Sequence, residues 1–417
     1  MITTTIIVGF GIFLINLLLY KNTLNPLSVY TLFFTICTGL ASLRLRGEFE
    51  ASSLIYGLIL ISISSFFVAY VISYAITKVK HESGELDERP INYKILYFMA
   101  IISLAYTGIK FYQSIPMYMS GMSIGTVRGE LLTESSNAIE NFLDSILNSG
   151  IRLALIFIVV VETFFGKRKD IKLILLVGFN VLMFTFTNGG RLILYDTLVI
   201  FLACFLYWKK VNKVTIKSLK KYIFPGTISV GSIIYLIIYL TSERQSDMAF
   251  WEALYSIFTC FLPLMNQTIT MLEHTHDLTL GTTFFSGFLI PINTLFDFLN
   301  FPRIADTNII NKYDVAFFHI GGGNYANAYT SHIFYFYLDG RIPGVILGNI
   351  LFATFAAIVF KYLKYSPNKR IIALYLFVVY LIFRTIVRWQ LAQPSSVVAL
   401  IILFLIFKSK KSTYKIK

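Results

Sequence analysis

Arginine gathered at one membrane face is the first chemistry this sequence offers. When its apolar runs are read as membrane helices, Arg128, Arg152, Arg191, Arg244, Arg303, Arg341, Arg384 and Arg388 fall at or near one face, where lysine is nearly confined to Lys110 and Lys312. A guanidinium presents a planar fork of donors that matches phosphate oxygens in pairs, and it stays charged when partly desolvated. Selective use of arginine there points to a phosphate or another anion. Arg384 and Arg388 are four apart, on one helical face, just before Trp389 and Gln390. Arg191 follows Asn188-Gly189-Gly190, where glycines permit a tight turn and close backbone approach before a helix opens. Arg244 stands where an apolar run gives way to a long loop. Any one of these alone reads most simply as an interfacial anchor. Together, Arg191, Arg244, Arg384 and Arg388 are expected to converge on one anionic ligand, with Arg128 contributed by a second loop. His332 is an embedded imidazole near the same face; it is either a proton acceptor near neutral pH or a packed, hydrogen-bonded side chain. The carboxylates on that side, among them Glu130, Glu243, Asp314 and Asp339, show no spacing that singles out a pair.

Composition decides what must position these groups. Residues that are 56% hydrophobic and 14% charged, over a chain of 417, leave too little charge for a water-facing shell. Apolar runs of about 17 to 25 residues recur, each long enough to cross roughly 30 Å of hydrocarbon as a helix. They are too long and too uniformly apolar for barrel strands. The expected fold is all-α: one polytopic membrane domain, 1–417, with about eleven spans at 3–20, 26–43, 52–77, 94–112, 147–166, 171–187, 190–208, 222–241, 331–360, 371–388 and 391–407. The run at 3–20 lacks a basic leader and a small-residue cleavage site, and reads as a span. Lys167 to Lys169, the lysine-rich 209–221 loop, Lys361 to Arg370 and the tail from Lys408 mark the cytoplasmic side. That places the N-terminus outside and the C-terminus in the cytoplasm, and it makes the net charge of +14 largely a topology signal, not a sign of nucleic-acid binding. Arg44 and Arg46 fall outside, against the rule.

Two outer loops are long, 113–146 and 242–330. The larger is too apolar for a solvated linker, so short amphipathic or re-entrant helices are expected on the outer leaflet. The stretch from Thr241 to Asp339, with Gly321-Gly322-Gly323 near its close, is expected to wall the site. Cys37, Cys204 and Cys260 have no pairing or ligand spacing, and neither a metal nor another cofactor is expected.

This order of features resembles the O-antigen polymerase family, the Wzy-type polymerases of oligosaccharide repeat units. The resemblance lies in Thr187-Asn188-Gly189-Gly190-Arg191 opening a span, and in Asn324 to Thr330 leading to Tyr337-Leu338-Asp339-Gly340-Arg341-Ile342-Pro343-Gly344. The second stretch is similar to the family's Asn/Thr segment, aromatic half-helix and Asp-Phe-Gly-like step; here Gly340 follows Asp339 directly. The resemblance implies a GT-C-type membrane glycosyltransferase of the cytoplasmic membrane. It would act at the outer leaflet on repeat units carried by undecaprenyl pyrophosphate, with the bilayer and a chain-length regulator protein as partners. The arginines would stabilise the departing pyrophosphate. His332 is the nominated base, with Asp339 the second choice. O-antigen ligase is the nearest rival reading. A transporter or flippase of lipid-linked oligosaccharide would need basic groups through the middle of the bundle, where the spans carry almost no charge.

Overall fold

The computed structural model describes residues 1–79, 91–123, 126–127, 130–131, 138–167, 169–188, 190–213, 231–240 and 250–407. Arg128 and Arg244 lie outside the described residues, as do most of the 209–221 loop and the tail from Lys408.

The first helix, α1 (Ile2–Tyr20), inverts the pattern of a soluble helix. Thr5, Gly9, Ile12 and Asn16 form its buried stripe, while Ile7, Leu14, Leu18 and Leu19 are exposed. Small and polar residues inward with leucine and isoleucine outward suit hydrocarbon as the solvent. The stripe meets α2 (Pro26–Ser42) closely, Gly9 lying against the side chain of Thr35. Asparagines set several helix starts by accepting from first-turn amides: Asn25 for α2, Asn92 for α4 (Tyr93–Met119) and Asn368 for α15 (Lys369–Phe383). Proline opens α2 and α16 (Pro394–Ile406), where its missing N–H removes no helical bond.

The remaining bundle comprises α3 (Ser53–Ile76), α5 (Ala138–Leu143), α6 (Ile151–Phe165), α7 (Ile171–Asn188), α8 (Arg191–Val211) and α9 (231–240). A seven-residue π-helical stretch, Asp144–Gly150, joins α5 to α6. Among the described residues six helical stretches are long and apolar enough to cross a membrane: α1, α3, α4, Asp144–Phe165, α8 and α14 (Ser331–Tyr365). The protein is an all-α membrane protein. Between α9 and α14 the described chain holds four short helices, α10 (Phe250–Thr259), α11 (Phe261–Thr275), α12 (Ser286–Phe298) and α13 (Ile309–Asp314), followed by an antiparallel hairpin of β1 (Phe318–Gly321) and β2 (Asn324–Ala326). Nothing in the sequence pattern led us to expect the hairpin.

One sequence expectation is corrected here. The span expected at 331–360 is two half-helices, because α14 breaks at Gly340 and Arg341, the latter at φ 54° and ψ −139°. The halves fold against each other. A Cβ on Gly348 would fall 2.5 Å from the ring of Phe336, and the Tyr30 hydroxyl meets both His332, at 3.0 Å, and Asn349, at 3.4 Å. In a straight helix residues 332 and 349 would stand roughly 25 Å apart. The folded-back half, Ser331–Asp339, is buried along its whole length. Its first amides find carbonyls in the irregular segment after α15: Ser331 N–H donates to Val387 and His332 N–H to Thr385. Two broken backbones thereby satisfy each other inside the protein, the condition under which membrane proteins tolerate them.

Candidate functional site under the hairpin

A small roof covers one end of the bundle, built from the hairpin and the loop between α2 and α3. Phe49 N–H donates to Ile320 O at 2.8 Å, adding a short extended segment to the hairpin. Gly321 and Gly322 permit this approach: a Cβ on Gly321 would lie 2.6 Å from Gly47 O, and one on Gly322 would lie 2.0 Å from Arg46 O. Both have positive φ, which glycine adopts without strain. Arg46 donates to Asn324, whose own amide returns hydrogen bonds to the carbonyls of Arg46 and Gly321. Under the roof Ile320 packs on Cys260 and Leu264. Burial pushes the Cys260 thiol up to about 12 although Arg191 and Arg46, both within electrostatic reach, pull the other way; Glu48 reaches the same thiol. It is an inert packing group, not a nucleophile.

Three of the four expected arginines, Arg191, Arg384 and Arg388, are described, and two of them are already paired. Arg384 is 9% exposed and pairs with Asp196 of α8: Nη2 donates to Oδ2 at 2.9 Å, and Nε stands 2.8 Å from Oδ1 as an ion-pair contact. Arg388, four residues on, pairs with Asp314 at 3.1 Å; that carboxylate also accepts from the Tyr335 hydroxyl at 2.6 Å. Arg191, the first residue of α8, makes no ion pair and no side-chain hydrogen bond among the described residues, and it is half-buried. One turn further, Tyr195 packs on Phe258, two residues before Cys260, so this face of α8 looks under the roof. The expectation of a common anion site changes accordingly. Two of its arginines are already neutralised by carboxylates, and of the three that are described only Arg191 has no carboxylate partner among the described residues.

No family model, curated protein or solved structure matches the chain. What the site can do therefore rests on its own geometry.

His332 does not fit the role of base. It is fully buried; because a carbonyl only accepts, its Nδ1 carries the proton given to Thr385 O at 3.2 Å, and Nε2 then accepts from Tyr30 at 3.0 Å. Tyr30, Phe34 and Phe336 close over the ring edge-on. Asp339 does not fit either. Its Oδ1 takes Thr279 Oγ1 at 2.7 Å, Thr283 N at 2.9 Å and Gly281 N at 3.0 Å, and its Oδ2 takes Phe284 N at 2.7 Å. A carboxylate holding four donors is a staple, fixing the turn before α12 to the tip of the folded-back half-helix. Arg303 is bound by Asp297 and Arg341 stands 3.8 Å from Glu273, while Arg152 sits elsewhere, on Phe184.

Sequence reasoning missed Asp196 and Glu48, and read Arg46 only as an exception to the charge rule. Asp196 carried a readable signal, since an acid inside an apolar span needs a cationic partner. Arg46 and Glu48 did not, because only the hairpin, distant in sequence, brings their loop over the site.

Proposed function

We propose that the protein is a membrane glycosyltransferase that polymerises oligosaccharide repeat units carried on undecaprenyl pyrophosphate. On this reading it crosses the cytoplasmic membrane eleven times, with the roofed end facing outward. The orientation follows from charge: Lys210, Lys361, Lys369 and Arg370 all make contacts at the opposite end, with Asn22, Tyr74, Glu162 and Phe407 respectively, and lysine-rich ends stay in the cytoplasm. The observation that carries the proposal is Arg191: an uncompensated guanidinium at a helix N-terminus, under a roof and beside two arginine–carboxylate pairs.

The reaction needs little more from the protein than placement and charge. An acceptor hydroxyl attacks the anomeric carbon, and the bond to the lipid pyrophosphate breaks with its electron pair. Negative charge grows on the pyrophosphate as it leaves. A fixed guanidinium with no internal partner meets that charge without reorganising, aided by the amides of the first turn of α8. The neutralised pairs at Arg384 and Arg388 fix the ends of α8, α13 and α15 around the same point.

The test is the glycan made by a deletion strain complemented with this chain. Wild-type complementation is expected to restore long surface polysaccharide, and the uncomplemented strain to accumulate single repeat units. Long chains left on the lipid carrier in the deletion strain would instead identify a ligase, which takes the same donor to a different acceptor. Unchanged surface glycan would reject both.

A further inference from the structure

The transfer proposed above leaves one proton without a destination. The acceptor hydroxyl must lose it, yet His332 has both ring nitrogens engaged and Asp339 is saturated with donors. Asp196 and Asp314 are each held by an arginine. Another carboxylate belongs to the roof itself. Glu48 is 6% exposed, and its Oε2 accepts from the Arg46 amide at 3.0 Å. Its Oε1 has no partner among the described residues, and the side chain makes no ion pair there.

We propose that Glu48 is the catalytic base of the transfer, receiving the acceptor proton on Oε1. The inference rests on the reading of the protein as a glycosyltransferase using a lipid pyrophosphate. Three placements support it. Glu48 sits on the segment that bridges to Gly321, so the roof fixes its backbone from both sides. Arg191, the proposed leaving-group partner, and Glu48 both lie within electrostatic reach of the one buried Cys260. The hairpin that holds the Glu48 segment packs through Ile320 on Cys260 and Leu264, beside the helix whose Phe258 meets Tyr195, one turn from Arg191. A preorganised backbone holding a half-engaged carboxylate is what proton abstraction needs.

The step balances within the two substrates and this residue. The acceptor oxygen forms its bond to the anomeric carbon while its proton passes to Glu48. The bond from that carbon to the pyrophosphate oxygen breaks, and its electron pair leaves with the lipid pyrophosphate facing Arg191. Glu48 returns the proton to solvent before the next turnover.

A simpler role for Glu48 is to close the turn at Arg46 through Oε2. Glutamine would keep that bond and lose the base, which makes Glu48→Gln the discriminating variant. The full chain is reconstituted in liposomes with lipid-linked repeat units extracted from the deletion strain. Glu48→Gln is expected to lower kcat about 100-fold or more with donor KM changed less than about threefold, and to remove the acid limb of the pH–rate profile. Glu48→Asp, with its carboxylate drawn back, is expected to keep that limb at a reduced rate. Wild-type kcat and pH profile in Glu48→Gln would overturn the assignment while leaving the glycosyltransferase reading standing. Should Glu48→Gln fail to fold, a folded and active Glu48→Asp whose pH–rate profile lacks the acid limb would overturn it equally. A wild-type protein that makes no polymer in this assay would instead overturn the glycosyltransferase reading, and this role with it.

Discussion

Arg152 and Arg191 each stand in the first turn of a long apolar helix, yet the molecule treats them oppositely. Arg152 is 1% exposed; its guanidinium lies 3.2 Å from the ring centre of Phe184 and donates to Asn148 at 2.6 Å. Asn148 belongs to a closed polar set with Thr107, Asn180 and Ser103, and Asp144 follows one turn earlier on the π-helical stretch. Its partners tie the π-helical stretch at the start of α6 to α4 through Thr107 and to α7 through Asn180 and Phe184. Arg191 has no such neighbours, and its face opens under the roof. The lesson is that a buried, stacked arginine glues helices, while a half-buried, unpartnered one is available to a ligand.

Several measurements bear on that contrast. The largest expected effect is on folding: Arg384→Ala leaves Asp196 buried without its partner and should cost about 3–5 kcal/mol of stability, seen as low yield and a lowered Tm. The double variant Arg384→Ala/Asp196→Ala should recover much of it, and no recovery would mean that the pair is not what holds α8 to the end of α15. Arg191→Ala should leave Tm unchanged and reduce polymer formation roughly 100- to 1000-fold, the scale on which removing one preorganised charge-stabilising donor acts. Normal chain lengths in that variant would erase the difference between the two arginines.

Arg152→Met should do the reverse, lowering stability by about 1–3 kcal/mol through the lost Asn148 bond while folded protein keeps its turnover. Lost turnover in folded Arg152→Met would make the closed polar set part of the site. His332→Asn should likewise weaken the fold by about 1–3 kcal/mol and leave the pH–rate profile in place; a displaced profile would restore His332 as the base. The smallest effect concerns Asp277. The Tyr313 hydroxyl and the Lys312 ammonium hold its carboxyl below the ordinary range. A depressed folded value stabilises above the unfolded value, so this tie between α11 and α13 persists at neutral pH and is lost as pH falls below about 4. The hydrogen-exchange protection of residues 309–314, taken relative to the intrinsic rate at each pH, should fall in acid in the wild type and be largely pH-independent in Asp277→Asn.

Much of the fold was legible because the bilayer imposes length and polarity on each span separately. Alternating lysine-rich and arginine-bearing ends could be read one segment at a time. The site was legible only in part. Arg191, Arg384 and Arg388 were visible as arginines on an unusual side, but whether each is paired depends on Asp196 and Asp314, which lie far from them in sequence. His332 and Asp339 read as chemistry from residue type; the folded-back half-helix put one behind three aromatic rings and gave the other four donors.

The sequence by itself determined the solvent this protein needs and the helical form it must take, since in hydrocarbon a backbone has to satisfy its own hydrogen bonds. Only the tertiary structure decided which of the arginines is free. The break at Gly340–Arg341 and the hairpin over Cys260 bring together groups that no local pattern connects. A charge's availability depends on its partners in space, and those partners come from segments distant in the chain.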